Sequence, residues 1–243
     1  MLMRSRKDGV TVHIRTTRID HPVTSFSYIS NAAIKFDDDD NLFEVSEDGS
    51  LFVNGNDASE NTVSSFARYK LVRTIKGSKN NILAYMLDLG HGKSIEIRCN
   101  KKTGMLFVSI IGAFYDSEGL LGNAWTKAFY SRDSSMDLSG EWNSLAEEWQ
   151  VRNDEPMLFR EARHPQFPVG CLYEASTSTQ DGSSSNVRHG RRRRLLDTIK
   201  ISEDAAKKAC ANAASGTLME YCIADVMVTG EVDIADDEFY QHA

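Results

Sequence analysis

Between residues 9 and 114, apolar and polar positions alternate in short runs separated by glycine-bearing breaks. Val10, Val12 and Ile14 take every second place in GVTVHIRTTR, the period of a strand with one face buried. Similar short apolar runs recur at residues 27–36, 42–46, 51–54, 69–74, 82–87, 94–99 and 105–111. Glu47-Asp48-Gly49, Asn54-Gly55, Gly90-His91-Gly92 and residues 101–104 are short turns of the kind that join antiparallel neighbours. The pattern predicts a mainly β fold, an antiparallel β-sandwich of short strands.

Residues 119–152 form the stretch around which these strands are arranged. They carry all three tryptophans, Trp125, Trp142 and Trp149, and two close glycines, Gly119 and Gly122. Glycine lets a backbone turn or approach another chain closely. The segment is expected to be a long loop between two strands with its tryptophans buried, the second strand running through Trp149. Asp154-Glu155-Pro156 then turns the chain, Met157-Leu158-Phe159 is a short apolar anchor, and HPQFP at 164–168 excludes helix.

The period changes near the C-terminal end. Ser202 is a good helix N-cap, and Glu203 and Asp204 place negative charge in the first turn, where the helix dipole favours it. Ala206, Ala209, Cys210 and Ala213 form one small-residue face; Met219, Cys222, Ile223 and Val226 form a second apolar stripe beyond Gly216. A helical hairpin follows, with Cys210 and Cys222 facing each other, as a disulfide or as two buried thiols.

Composition narrows the function classes. With 243 residues, 41% hydrophobic and 26% charged, the chain is long enough to bury a real core. Its net charge of -7 argues against general nucleic-acid binding, which needs a basic face. The longest apolar run, MLFVSIIGAFY, is about half of the roughly 20 residues a membrane helix requires. The N-terminal residues include basic ones but no apolar core, so they do not read as a secretory signal. The four cysteines, Cys99, Cys171, Cys210 and Cys222, contain no CxxC pair, which weakens zinc and thioredoxin-type readings.

Most local features have plain explanations. Asp37 to Asp40 reads as a solvated loop, Gly90-His91-Gly92-Lys93 lacks P-loop spacing, and His13 is a strand residue. The one basic cluster, Arg188 and then Arg191, Arg192, Arg193 and Arg194, follows a Ser/Gly-rich stretch. It is an exposed lead-in to the helices, with a processing site or a patch for an acidic partner as alternatives. Glu141, Glu147 and Glu148 among tryptophans raise a carboxylate-based glycoside hydrolase, but adjacent strand residues point to opposite faces. Exposed tryptophans would instead suit a carbohydrate- or lipid-binding module. No nucleophile elbow or HExxH helix is present.

GLLGN at 119–123, the Arg132-Asp133 turn, EEWQVR at 147–152 and AAKKACANAASGTLMEYCIADVMVTGE at 205–231 together resemble the von Willebrand factor type D domain and the eight-cysteine helical module that follows it. The likeness is to the divergent form in surface proteins of single-celled algae, and covers about residues 9–235. Leu121 stands where the family has a cysteine, most cysteines of the helical module are missing, and the domain looks truncated at its start. The resemblance implies a VWD-like β domain over 9–174, a linker over 175–197 and a helical appendage with an acidic tail over 198–243. It implies a non-enzymatic extracellular or cell-surface interaction module, stiffened by disulfides among Cys210, Cys222, Cys99 and Cys171, with a protein or glycan partner. Calcium is the implied cofactor, on Asn123, Asp133 and Asp137, although Trp125 occupies a place where the family has an acidic ligand. A hard cation wants about six to eight oxygens, so carbonyls and waters would complete the set.

Overall fold

The structure is a computed structural model that describes residues 1–20, 25–38, 41–60, 63–66, 68–76, 81–123, 125–152, 154–161, 201–213 and 216–236. It divides into two compact units, Met1–Ile75 with Ile82–Tyr173, and Lys76–Asn81 with Glu174–Ala243. Cys171 and Arg191 to Arg194 lie outside the described residues.

The first unit is mainly antiparallel β. Its strands are β1 (Met3–Ser5), β2 (Val10–Asp20), β3 (Ser25–Phe36), β4 (Leu42–Val45), β5 (Leu51–Val53), β6 (Asn56–Asp57), β7 (Val63–Ser65), β8 (Lys70–Lys76), β9 (Ile82–Gly90), β10 (Lys93–Asn100) and β11 (Leu106–Ile111). They join in one curled sheet of order β6-β5-β4-β3-β11-β10-β9-β8-β7, with β2 on the other edge of β3 and β1 beyond it. The alternating segments read from the sequence are all strands here, up to three residues longer or shorter at their ends. The tight turns hold too: Asn54, Gly55, His91 and Gly92 all have positive φ.

The curl has a local cause. β2 pairs along β3 from Val10↔Phe36 to Asp20↔Ser25, but the register slips between Arg15 and Thr16. Ser30 is the extra residue, and its hydroxyl donates to the Arg15 carbonyl at 3.3 Å. Such a bulge bends a strand and raises its twist. On the far edge of β3, residues after the bulge pair with β4 (Ala32↔Val45 to Lys35↔Leu42), while Ile29 before it pairs with Leu106 of β11. One strand thereby feeds two arms. Phe43, Val45 and Leu51 of one arm share a buried cluster with Tyr85, Leu87, Ile95 and Ile97 of the other. The Tyr85 hydroxyl donates to the Gly49 carbonyl at 2.8 Å, tying the β4–β5 turn to β9. Burying several large apolar side chains at about 1.5–3 kcal/mol each is what holds the arms together.

After β11 the chain builds a lobe stitched to β1. Leu121 N donates to Leu2 O, and Arg4 and Glu118 exchange both backbone hydrogen bonds. The lobe has its own core of Met1, Leu138, Leu145 and Trp149. Trp142–Glu148 is helix α1 and Trp149 is its C-cap, in place of the strand expected through Trp149. Leu145 and Trp149, four residues apart, both turn into the core, as a helix face requires. Residues 157–161 then cross β2, β4 and β5: Arg160 N donates to the buried Glu44 carboxylate at 2.8 Å, and Arg15 Nη2 donates to Glu161 O at 2.6 Å.

The second unit is a helical hairpin of α2 (Glu203–Ala209), a 3-10 turn (Cys210–Asn212), α3 (Gly216–Thr229) and a second 3-10 turn (Val232–Asp236). Ser202 caps α2, its side chain accepting from Ala205 N. Gly230, with positive φ, ends α3 as its N–H meets Val226 O. Cys210 and Cys222 form a disulfide between the helices, their Cα atoms 5.9 Å apart. Cys99, in β10, is buried, and its thiol donates to Glu47 O at 3.6 Å.

Candidate functional site

Residues 115–152 form the candidate site, and Gly119 and Gly122 explain how the chain folds there. At Gly119 (φ +123°) a Cβ would lie 2.6 Å from Leu2 O; at Gly122 (φ +66°) it would lie 2.7 Å from Ala128 O and 2.8 Å from the Phe129 ring. Both positions demand glycine by conformation and by space. GLLGN is therefore the join between the lobe and β1, followed at once by a tight turn.

Asn123 makes that turn. Its Oδ1 accepts from Trp125 N and Thr126 N, both at 2.9 Å, and its Nδ2 donates to Tyr115 O at 2.9 Å. Backbone bonds Asn123 N to Ala128 O and Lys127 N to Asn123 O complete it. Asp133 does a similar job in the next turn: its Oδ1 accepts from the Ser131 hydroxyl, the Ser135 hydroxyl and Ser135 N. Those bonds, the Ser131 hydroxyl foremost, hold its carboxyl down to about 2. Asp137 Oδ1 accepts from Ser139 N at 2.9 Å, and its pKa is likewise lowered by Ser139. The structure thus places Asn123, Asp133 and Asp137 in three successive polar turns, the Oδ1 of each engaged locally. Among the described residues no group of three or more His, Cys, Asp or Glu is placed to hold a metal ion.

Arg132 locks the base of the lobe. Its backbone N–H meets Glu148 Oε1 at 2.9 Å, Nε donates to Glu148 O at 2.7 Å, Nη2 to Gln150 O at 2.7 Å, and Nη1 to the Glu155 carboxylate. A guanidinium is suited to this because its donors form a rigid planar fork. The sequence marked it only as part of the Arg132-Asp133 turn, since its side-chain partners are mostly carbonyls sixteen or more residues away.

The tryptophans divide. Trp149 is 1% exposed and donates through Nε1 to Tyr130 O at 3.0 Å, whereas Trp125 is 72% exposed and Trp142 62%. The expectation that all three are buried holds for Trp149 alone. Trp125 meets only the edge of Tyr115 (centroids 5.3 Å apart), and Trp142 packs edge-on to Phe129 (5.4 Å). One ring of each pair, Trp125 and Phe129, belongs to the 122–129 turn, with Leu121, Tyr130 and Met136 also exposed. Chemically this is a rigid frame that holds large amphipathic rings out to solvent. Glu141 and Glu147 are exposed, and Glu148 is committed to Arg132 and Arg152. On a helix Glu147 and Glu148 are about 100° apart, so the opposite-face argument drawn from a strand does not apply to them.

No family model matches this chain, and no curated protein is similar enough to be paired with it. Among the described residues no helix is long and apolar enough to cross a membrane.

Proposed function

We propose that the chain is a non-enzymatic interaction module of a secreted or cell-surface protein, engaging a protein or glycan partner through the aromatic face of residues 115–142. The observation that carries this reading is the exposure of Trp125 and Trp142 on a frame locked by Gly119, Gly122, Asn123 and Arg132. Exposing two tryptophans is costly in water, and a partner that covers them recovers the burial of about 150–250 Å² for each ring. Tryptophan and tyrosine also dominate the energetics of binding faces. The Cys210–Cys222 bridge supports an oxidising compartment.

Calcium belongs to this reading through the resemblance to the von Willebrand D domain. Binding on Asn123, Asp133 and Asp137 would require the loop to exchange its serine and backbone hydrogen bonds for metal ones. Melting in excess calcium and in EDTA tests it: a calcium-dependent rise that Asp133→Asn removes supports it, and identical curves refute it.

The contact face is tested by displaying the protein on an array of glycans and matrix glycoproteins beside a Trp125→Ala/Trp142→Ala variant. Capture of specific features by the wild type, some of them absent in a variant that melts at the same temperature, is the expected result.

A further inference from the structure

A second site lies where four turns meet at one end of the sheet. The β1–β2 turn brings Asp8, the chain after β3 brings Asp38, the approach to β8 brings Arg68 and Tyr69, and the β9–β10 turn brings His91 and Lys93. They enclose a cleft of about 230 Å³. Loops gathered at the end of a β scaffold are a common place for binding groups. None of Tyr115, Trp125 or Trp142 lines the cleft, so the site stands apart from the aromatic face and does not depend on it.

The charges in its wall cancel in pairs. Lys93 Nζ donates to Asp8 Oδ1 at 2.5 Å, and Arg68 is paired with Asp38. With these pairs made, the described lining carries no unpaired charge for an anion or a cation to neutralise, so a charged ligand gains little by entering. A neutral ligand rich in hydroxyls needs no such charge. Arg68 and Lys93 keep donors beyond those spent on the ion pairs, His91 offers either role, and the carboxylate oxygens of Asp8 and Asp38 have lone pairs to spare. Beneath these polar groups lies an apolar floor, Tyr69 stacked on Phe36 with centroids 4.1 Å apart and planes 16° from parallel, beside Leu89. Polar groups of both signs over an apolar floor match a pyranose, which presents hydroxyls at its rim and C–H groups on its face. The volume is below the roughly 300–1,000 Å³ of drug-sized pockets, which limits the guest to about one ring.

We propose that this cleft binds a single ring of a neutral polyhydroxyl ligand, a monosaccharide or the terminal sugar of a glycan. The test is calorimetry and saturation-transfer NMR on the full chain. The probes are methyl glycosides of glucose, galactose, mannose, xylose, fucose and N-acetylglucosamine, with inorganic phosphate and glycine as charged controls. At least one glycoside binds, Arg68→Ala weakens it tenfold or more, and His91→Gly, chosen because glycine keeps the positive φ, weakens it severalfold. Trp125→Ala/Trp142→Ala leaves it unchanged, which separates this site from the aromatic face. Tighter binding of an oligosaccharide ending in the same sugar assigns the ligand to a glycan end, and equal binding assigns it to the free sugar. Three results overturn the proposal: no glycoside binds, binding survives Arg68→Ala, or phosphate or glycine binds in place of the sugars.

Discussion

The guanidinium carbon of Arg132 lies 5.2 Å from the centre of the Trp149 ring, while its nitrogens bind Glu148 O, Gln150 O and the Glu155 carboxylate. One side chain therefore joins the turn before α1 to the chain after it. Arg132→Ala strands two carbonyls and a carboxylate, and is expected to cost about 3 kcal/mol. Arg132→Lys should recover little, because an ammonium cannot span the same fork. Thermal melts of the three proteins, followed by tryptophan fluorescence, check both statements.

Gly122→Ala is expected to destabilise by about 1–3 kcal/mol from its positive φ alone, with the Ala128 carbonyl contact added to that. Gly55→Ala has positive φ but nothing within 4 Å of its Cβ, so it should cost less. Denaturant midpoints for the pair measure how much of the cost is space rather than conformation.

His13 is 5% exposed on β2, and its Nδ1 has no hydrogen-bond partner among the described residues. Burial foremost, then the N-terminal ammonium, with Arg132 and Arg4 adding to it and Glu155 opposing, pushes its pKa from 6.5 to about 4. The folded value lies below the unfolded one, so stability is full above about pH 6.5 and falls as pH drops towards 4. The shift corresponds to about 3 kcal/mol. Denaturant unfolding between pH 7 and 4 should show this loss, and His13→Leu should flatten that part of the curve.

The Cys210–Cys222 bridge closes a short loop between α2 and α3. Cysteines so placed are worth about 3 kcal/mol in the chain-entropy model. Reduction should lower the helical unit's stability by that order and leave the β unit's transition in place, which helix-sensitive circular dichroism can separate.

Much of this fold was legible because strand alternation and turn chemistry are local. Val10, Val12 and Ile14, and the Asn54-Gly55 turn, signal their conformations within a few residues. So did Ser202 as a cap and the facing of Cys210 and Cys222. What escaped depends on distant partners. Helix α1 is only seven residues long, and Trp142 within it lies outside the core, so the Leu145–Trp149 spacing was its only periodic sign. Trp125 and Trp142 read as core because large rings usually are; Trp125 is held out by the turn set by Asn123 and Gly122, and Trp142 stands at the start of α1. The branching of β3 at Ser30 needed both of its neighbours to be known.

The central claim is that Trp125 and Trp142 form a contact face while Trp149 serves the fold. The most direct measurement compares binding and melting with and without Trp125→Ala/Trp142→Ala on a glycan and glycoprotein array, both in an Arg68→Ala background that silences the separate sugar cleft. The account predicts loss of the signal with an unchanged melting temperature. A tryptophan variant that binds as its Arg68→Ala parent does, or a parent that captures nothing, would contradict it.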